Sequence, residues 1–394
     1  MIDFDLFLLL GGLMLLILGL FDYLSYRFNF SSLIVFILLG IGGSFFIESP
    51  PALHLIAEIG IVLLFFLLGL EFPLSRMMEI LPKGWLAASL DVVFNVGISF
   101  LISFLFGLDL LTSFFIGAIV YASSSSITLK LLEEENRLAN QETEFILMIL
   151  IFEDLIAPIL VSFFAGIYQG DNFSPAFVGS LFMRMILLTV GAVVLGHFVF
   201  KRMDGFVEKY LDENFVVPLV VGLALAYSGL AIYLGLSEVL GAFLAGIMLS
   251  EIEHAHELEK LILPLRNITL PFFFFWFGTT IYLGGGIEWP ILLIALIVWS
   301  IIAKMLVAYL GGKAFGLKQK VALRGGFSLV QRGEFSAIIA ALAPVALRSF
   351  AGIYIVLIAF LGVFFFKKAP VLSAKLDRSI SFAFLQSQEK GGID

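Results

Sequence analysis

The sequence predicts an all-helical protein that crosses a membrane many times. Hydrophobic residues make up 61% of its 394 residues and charged residues only 14%, whereas soluble domains carry about 25% charged residues. The apolar residues also occur in runs of about 20, the length that spans a bilayer as a helix. The chain contains no cysteine, which excludes disulfide bonds and thiolate metal sites.

Thirteen transmembrane helices are predicted from these runs, followed by a cytoplasmic tail at residues 368–394. The start of the chain lacks the basic residues of a cleaved signal, so the first run is expected to remain as a membrane helix. The predicted helices cover residues 6–21, 31–47, 53–70, 85–106, 110–128, 143–168, 175–200, 215–233, 237–250, 262–282, 288–310, 320–346 and 350–367.

The charge of the predicted loops indicates the orientation. Basic residues fall in one set of alternate loops, and the opposite set holds only Arg348. By the positive-inside rule, the C-terminus is predicted to be cytoplasmic and the acidic N-terminus external. The expected location is the inner or plasma membrane of a prokaryotic-type cell.

Two of the predicted helices contain residues that favour unwinding. The fifth ends in Tyr121-Ala-Ser-Ser-Ser-Ser-Ile-Thr128, and the twelfth carries Gly325-Gly326 followed by Gln331-Arg-Gly-Glu334. The membrane domain, residues 1–367, then divides into two six-helix halves at about 6–168 and 215–367, joined by a connector helix at about 175–200. Broken helices at matching places in two such halves are typical of transporters built from inverted repeats.

Glu153 and Asp154 are adjacent in an otherwise apolar stretch. An ionisable residue at membrane depth costs roughly 2.5–3.5 kcal/mol on insertion scales and often marks an ion or proton path. Asp154 is predicted to bind a monovalent cation and a proton in turn, because its carboxylate can accept either one. On a helix the two side chains point about 100° apart, so Glu153 is expected to face a partner instead.

The predicted partner of Glu153 is Lys304, a lone cation deep in the eleventh helix; extension of Lys304 towards the membrane surface is the alternative. Hydroxyl and carbonyl oxygens of the first break are expected to complete the cation site with Asp154. These oxygens belong to Ser123, Ser124, Ser125, Ser126 and Thr128, although such residues also serve simply to pack helices.

The charged residues of the second break are expected to compensate the dipoles of the half-helices. This role is assigned to Gln331, Arg332 and Glu334. Pairing of Arg332 with Glu334 across the break is an equal alternative.

Three further groups of polar residues have weaker functional signals. Asp91 and Asn95 share one helix face, and hydrogen bonding between helices is favoured there over ion contact. Arg184 is a charge in the connector helix without a predicted partner. His254 and His256 fall in an acidic stretch, where a solvated loop is favoured over a pH-sensing role.

Five motifs occur along the chain in the order known from one family of transporters. They are Leu67-Leu-Gly-Leu-Glu71, Ser123-Ser-Ser-Ser-Ile-Thr-Leu-Lys-Leu-Leu-Glu133, Phe152-Glu-Asp-Leu-Ile-Ala-Pro158, Gly235-Leu-Ser-Glu-Val-Leu-Gly-Ala-Phe-Leu-Ala-Gly-Ile-Met-Leu-Ser250 with His256-Glu-Leu-Glu259, and Gln331-Arg-Gly-Glu-Phe-Ser336. Together they resemble the monovalent cation:proton antiporter-2 (CPA2) family, especially its Kef-type membrane domain. The resemblance implies a Na⁺/H⁺ antiporter-like fold with two crossed broken helices, working as a homodimer. It places the family's essential aspartate at Asp154 and its membrane lysine at Lys304.

Departures from the family pattern leave part of the function open. Glu153 stands where Kef-type proteins have Gln, electrogenic sodium exchangers Asp and electroneutral ones Asn, so the stoichiometry is not fixed. The Ser/Thr-rich first break resembles the Kef pattern and favours K⁺ over Na⁺. The nucleotide-binding regulatory domain common in Kef-type proteins is expected as a separate subunit or a removed domain, unless the transporter is unregulated.

The predicted function is secondary antiport of K⁺, or of Na⁺, against protons by alternating access. The expected chain is not an enzyme and uses no cofactor. Its expected partners are the lipid bilayer, a second copy and the regulatory subunit, with no nucleic acid. A gated cation channel using the same acidic site is the main alternative, and a sodium-coupled symporter of an organic anion is the third.

Overall fold

The computed structural model describes residues 4–28, 30–45, 51–71, 74–169, 175–200, 213–250, 252, 254–282 and 288–390. These ranges contain sixteen α-helices and one π-helical segment, Val92–Ile98, which lies between α4 and α5. The α-helices are α1 Phe4–Arg27, α2 Ser32–Gly43, α3 Pro51–Leu70, α4 Leu74–Asp91, α5 Ser99–Leu105, α6 Leu110–Tyr121, α7 Ser125–Glu134, α8 Gln141–Gln169, α9 Pro175–Phe198, α10 Glu213–Tyr233, α11 Glu238–Leu249, α12 Ala255–Thr279, α13 Pro290–Ala314, α14 Gln319–Phe327, α15 Glu334–Leu342 and α16 Val345–Lys390.

The helices have the length and composition of membrane spans. Within the described ranges, nine helical stretches are long and apolar enough to cross a bilayer, and three apolar helices are shorter. The shorter helices are α2, α6 and α11. The all-helical membrane class predicted from hydropathy is confirmed, while the number of thirteen crossings stays a prediction.

Several helix boundaries differ from those predicted; α4, for example, begins at Leu74 rather than at 85. Helix α12 begins at Ala255 rather than at 262, so the assignment of residues 255–259 to a solvated loop was wrong. His256 and Glu259 approach to 3.0 Å across one turn, a pairing that supports a helix start. Helix α16 continues to Lys390 instead of ending at 367, and the part of it that is apolar enough to span a membrane reaches Arg378.

The chain forms two compact units that are interleaved in sequence. The first contains Met1–Glu79 and Ile156–Gly284, and the second contains Ile80–Leu155 and Gly285–Asp394. Each unit therefore takes segments from both predicted six-helix halves. All of the residues predicted to form the cation site belong to the second unit.

In the first unit, helices approach each other at paired glycines. Gly69 on α3 lies against Gly246 on α11, and Gly40 on α2 lies against Gly278 on α12. A Cβ atom added at any of these four positions would collide with backbone atoms of the opposite helix. Glycine therefore permits the close backbone contact that is common between membrane helices.

The first unit also contains a partner for Arg184. Its Nη1 atom donates to the carbonyl oxygen of Leu234 at 3.0 Å, just beyond the end of α10. The next residue, Gly235, has a φ of +72°, the left-handed conformation that ends many helices. Arg184 thus satisfies a carbonyl group at a helix C-terminus.

In the second unit, both predicted helix interruptions are confirmed. Residues 122–124 separate α6 from α7, and residues 328–333 separate α14 from α15. The two non-helical segments, here called the crossing, lie side by side: Ser123 and Arg332 form an antiparallel bridge, and the Ser124 N–H donates to the Gln331 carbonyl at 3.0 Å. The crossing thus brings together residues that are about 200 positions apart in the sequence.

Candidate functional site

Helix α8 presents Glu153 to the crossing. The Ser123 backbone N–H donates to Glu153 Oε2 at 2.7 Å, and the Ser123 hydroxyl donates to Oε1 at 3.1 Å. Lys304 Nζ, from α13, forms an ion pair with the same carboxylate. Both charged side chains are fully buried, and the Lys304–Glu153 pair predicted from the sequence is present.

Lys304 has a second carboxylate partner that the sequence analysis missed. Asp91, the last residue of α4, accepts from Lys304 Nζ at 2.7 Å and from Asn95 Nδ2 at 2.9 Å. The π-helical segment begins directly after Asp91, and single π-helical turns within α-helices often lie at functional sites. With all three groups ionised, two carboxylates and one ammonium leave a net charge of −1 in a buried place, an arrangement that burial disfavours.

Asp154 follows Glu153 on α8 and is 4% exposed. Because Glu153 is already engaged by Lys304 and Ser123, the two neighbouring carboxylates have different surroundings. The Ser123 hydroxyl lies within hydrogen-bond distance of Glu153 Oε1 at 3.1 Å and of the Leu329 carbonyl oxygen at 2.9 Å, and its single proton serves one of them at a time. The roles of Asp154, Glu153 and Lys304 in transport stay predictions.

Arg332 is fully buried in the crossing and bonds mainly to backbone oxygens. Its guanidinium donates to the carbonyls of Val120 at 2.6 Å and Val330 at 2.9 Å, as well as to Asn95 Oδ1 at 2.9 Å. These carbonyls lie where helices α6 and α14 have ended, so a positive charge offsets exposed negative dipole ends there. None of the ion pairs among the described residues joins Arg332 to Glu334. The geometry fits the predicted compensation role, which remains a prediction.

Glu334 begins α15 and accepts hydrogen bonds from the start of α7. Its Oε2 atom accepts from the hydroxyls of Ser124 at 2.7 Å and Ser126 at 3.2 Å. Its Oε1 atom accepts from the Ser125 hydroxyl at 3.1 Å and the Ser126 backbone N–H at 3.3 Å. Three of the predicted ligand serines are therefore gathered around Glu334.

The remaining polar residues of the crossing bond to each other. Gln331 Nε2 donates to the Thr128 hydroxyl, and that hydroxyl donates to the Ser124 carbonyl at 2.6 Å. Gln331 also donates to the Ser328 carbonyl at 2.8 Å. These bonds satisfy backbone and side-chain groups that the helix interruptions release.

A second buried charge network lies in the same unit. Glu142, at the start of α8, accepts from Arg137 at 3.0 Å and from Arg324 at 2.5 Å. Arg137 also donates to the Ser328 hydroxyl at 2.9 Å and to the Phe366 carbonyl at 3.3 Å. Burial is the main cause that lowers the pKa of Arg137, and the bond to Glu142 opposes it. Arg137 lies outside the apolar runs of the sequence, so hydropathy gives no sign of its burial.

The sequence and the fold were compared with those of known proteins. The profile of the family described as sodium/hydrogen exchanger, transmembrane, matches residues 12–379. The ammonium/H⁺ antiporter subunit AmhT of Alkalihalophilus pseudofirmus is 46% identical over 365 residues, which cover 93% of this chain and 94% of that protein. The K⁺/H⁺ antiporter subunit KhtU of Bacillus subtilis is 30% identical over 327 residues, covering 80% and 79%. The solved structure of the sodium proton antiporter MjNhaP1 from Methanocaldococcus jannaschii at pH 8 has a similar fold, with a TM-score of 0.70 at 18% identity, covering 95% of this chain and 99% of that one.

Proposed function

The chain belongs to the transmembrane sodium/hydrogen exchanger family and is a monovalent cation:proton antiporter. We propose that Asp154 is the residue that binds the cation and the proton in turn. The observation that carries the proposal is the placement of the Glu153–Asp154 pair beside the crossing of two broken helices. In inverted-repeat transporters, substrate and coupling ions bind at such a place.

The contacts of Glu153 support the choice of Asp154 over its neighbour. Glu153 accepts hydrogen bonds from Ser123 and forms an ion pair with Lys304, so its side chain is held in place within the protein. Asp154 is adjacent but points about 100° away on an ideal helix. One carboxylate that exchanges a cation for a proton couples the two fluxes without a further ionisable group.

The transported cation is proposed to be K⁺ or ammonium rather than Na⁺. The crossing offers serine and threonine hydroxyls, and the two relatives described above are named for ammonium and for K⁺. The two ions are both monovalent and similar in size, and both suit oxygen ligands. Na⁺ remains the alternative from the sequence analysis.

The assembly and the orientation are also proposals. Both relatives are named as antiporter subunits, which supports a separate regulatory subunit for this chain. A homodimer, a cell-membrane location, an external N-terminus and a cytoplasmic C-terminus follow from the resemblance and from the distribution of basic loop residues.

The first test is proton flux in proteoliposomes that contain a trapped pH dye, with K⁺, ammonium or Na⁺ added outside. We expect each transported cation to drive proton movement in the wild type and the Asp154→Asn variant to show none above protein-free vesicles. The protein-free vesicles also correct for ammonia, which crosses bilayers unaided.

A matched control for Asp154→Asn is Ser336→Ala, which alters another buried side chain of the same unit. Exchange that persists in Asp154→Asn would disprove the role of Asp154. Cation uptake without any proton movement in the wild type would favour the channel alternative.

A further inference from the structure

Among the residues whose burial the structure describes, the second unit has three buried glutamates, and one of them differs from the others in its partners. Glu142 is held by Arg137 and Arg324, and Glu153 is held by Lys304. Glu334 is only 5% exposed, yet none of the ion pairs among the described residues includes it. Its four hydrogen bonds come from three hydroxyls and one backbone N–H.

This set of partners suits a monovalent cation. Each hydroxyl has one proton to donate and two lone pairs, so the serines can bond to the carboxylate and also offer oxygen to a cation. Ser124 and Ser126 are 3.2 Å apart, and both lie within hydrogen-bond distance of the same Glu334 oxygen. The group therefore combines one formal negative charge with several neutral oxygens, which is the ligand chemistry of alkali-metal ions and ammonium.

The group also reaches the surface of the chain on one side. Ser124 is buried, Ser125 is half-buried, and Ser126 is exposed. The burial of the three serines thus increases from the surface of the unit towards the buried carboxylate of Glu334. A cation can exchange part of its water shell for serine oxygens before it reaches Glu334.

The helix ends around Glu334 set the strength of such a site. Glu334 is the first residue of α15 and faces the first turn of α7, and each helix N-terminus carries about half a positive charge. These dipoles account for an ionised glutamate without a basic partner. They also weaken the binding of a cation, and weak binding is what a site of passage requires.

We propose that Glu334, Ser124, Ser125 and Ser126 form a second cation site, which binds the transported K⁺ or ammonium ion on its way to or from Asp154. The inference rests on the proposed antiport through Asp154 and adds a second binding site on the path of the cation. In this assignment Glu334 is a cation ligand as well as a charge that compensates helix dipoles.

The test compares Glu334→Gln with the wild type in the proteoliposome assay, over a range of K⁺ concentrations. We expect the half-saturating K⁺ concentration to rise about tenfold, equivalent to about 1.4 kcal/mol, with most of the maximum rate kept. Ser126→Ala should move the half-saturating concentration in the same direction by less. Ser336→Ala is the control, because Ser336 is buried on α15 but donates to the Ile119 carbonyl at 2.7 Å and not to Glu334.

A structural role for Glu334 predicts a different result. Glu334→Gln would then lower the maximum rate or the melting temperature and leave the half-saturating K⁺ concentration unchanged, and this outcome would overturn the proposal. If Glu334→Gln does not fold, Glu334→Asp and Ser126→Ala decide the question by the same criterion.

A binding measurement separates this proposal from the role of Asp154. The shift of melting temperature with K⁺ is measured in Asp154→Asn and in the double variant Asp154→Asn, Glu334→Gln. A K⁺-dependent shift that remains in the single variant and disappears in the double variant supports the second site. Equal shifts in the two variants would exclude it, whatever Asp154 does in transport.

Discussion

At the scale of single residues, the central feature of the candidate site is the buried Lys304. Lys304 lies between Asp91 and Glu153, so one ammonium group serves two carboxylates from two other helices. Glu153 is thereby held in place within the protein. The exchange of cation and proton at its neighbour Asp154 is our proposal.

The Lys304 arrangement predicts a large effect on stability. Lys304→Met should lower the free energy of unfolding by about 3–5 kcal/mol, because it leaves buried carboxylates without their ammonium partner. The measurement is denaturation of the detergent-solubilised protein. The triple variant that adds Asp91→Asn and Glu153→Gln should recover part of the loss, and a Lys304→Met protein as stable as the wild type would contradict the ion-pair interpretation.

Most residues of the candidate site were proposed from the sequence, and the omissions have a physical reason. Glu153, Asp154 and Lys304 are recognisable because a charge within an apolar run is costly and often marks an ion path. The bond between Lys304 and Asp91 could not be predicted, because it depends on the packing of α4 beside α13. The hydrogen bond between Ser124 and Glu334 likewise depends on how the two segments of the crossing pack together.

At the scale of helices, the important features are the ends. The interruptions in the fifth and twelfth predicted helices were recognisable from hydroxyl and glycine residues, which compete with or weaken helical hydrogen bonding. The start of α12 and the length of α16 were not, since hydropathy follows apolar runs and a helix can continue beyond them. At other helix starts, including that of α6, a capping side chain marks the first turn.

Asp109 provides a direct test of one such cap. Its carboxylate accepts from the backbone N–H groups of Leu111 and Thr112, both at 3.0 Å, at the start of α6. Replacement of an N-cap aspartate by alanine typically costs about 1 kcal/mol. We expect Asp109→Ala to lose about that amount at pH 7 in equilibrium unfolding, and Asp109→Asn to lose less, since an amide oxygen still accepts.

The stabilisation that Asp109 provides as a cap should decrease at low pH. Hydrogen bonds from Thr112 are the largest cause that lowers the pKa of Asp109 below its ordinary value of 3.8. The stabilisation of the folded state by the ionised carboxylate is therefore fully present above pH 3.8 and is lost as the pH falls through the lower folded-state pKa. The difference in stability between wild type and Asp109→Ala should shrink below about pH 4; a constant difference down to the acid limit of folding would contradict this.

At the scale of the whole molecule, chain order and compact units do not coincide. The sequence predicts two consecutive halves around a connector helix, whereas the two compact units each combine segments from both predicted halves. A repeat describes the likeness of segments, while a unit describes which segments pack together. Hydropathy and motif order report the first and contain no information about the second.

The paired glycines of the first unit have a consequence for the sequences that this fold tolerates. Where a large side chain meets a small one, the two can exchange sizes during evolution. At Gly69 and Gly246 both partners are already minimal, so no second substitution can make room for the first. In a library of all single and double substitutions at these positions, scored by membrane insertion and proton flux, we expect glycine to survive at both sites and compensating pairs to be rare. A position of this kind is constrained without ever touching the ion, and it would look functional to anyone counting only how seldom it changes.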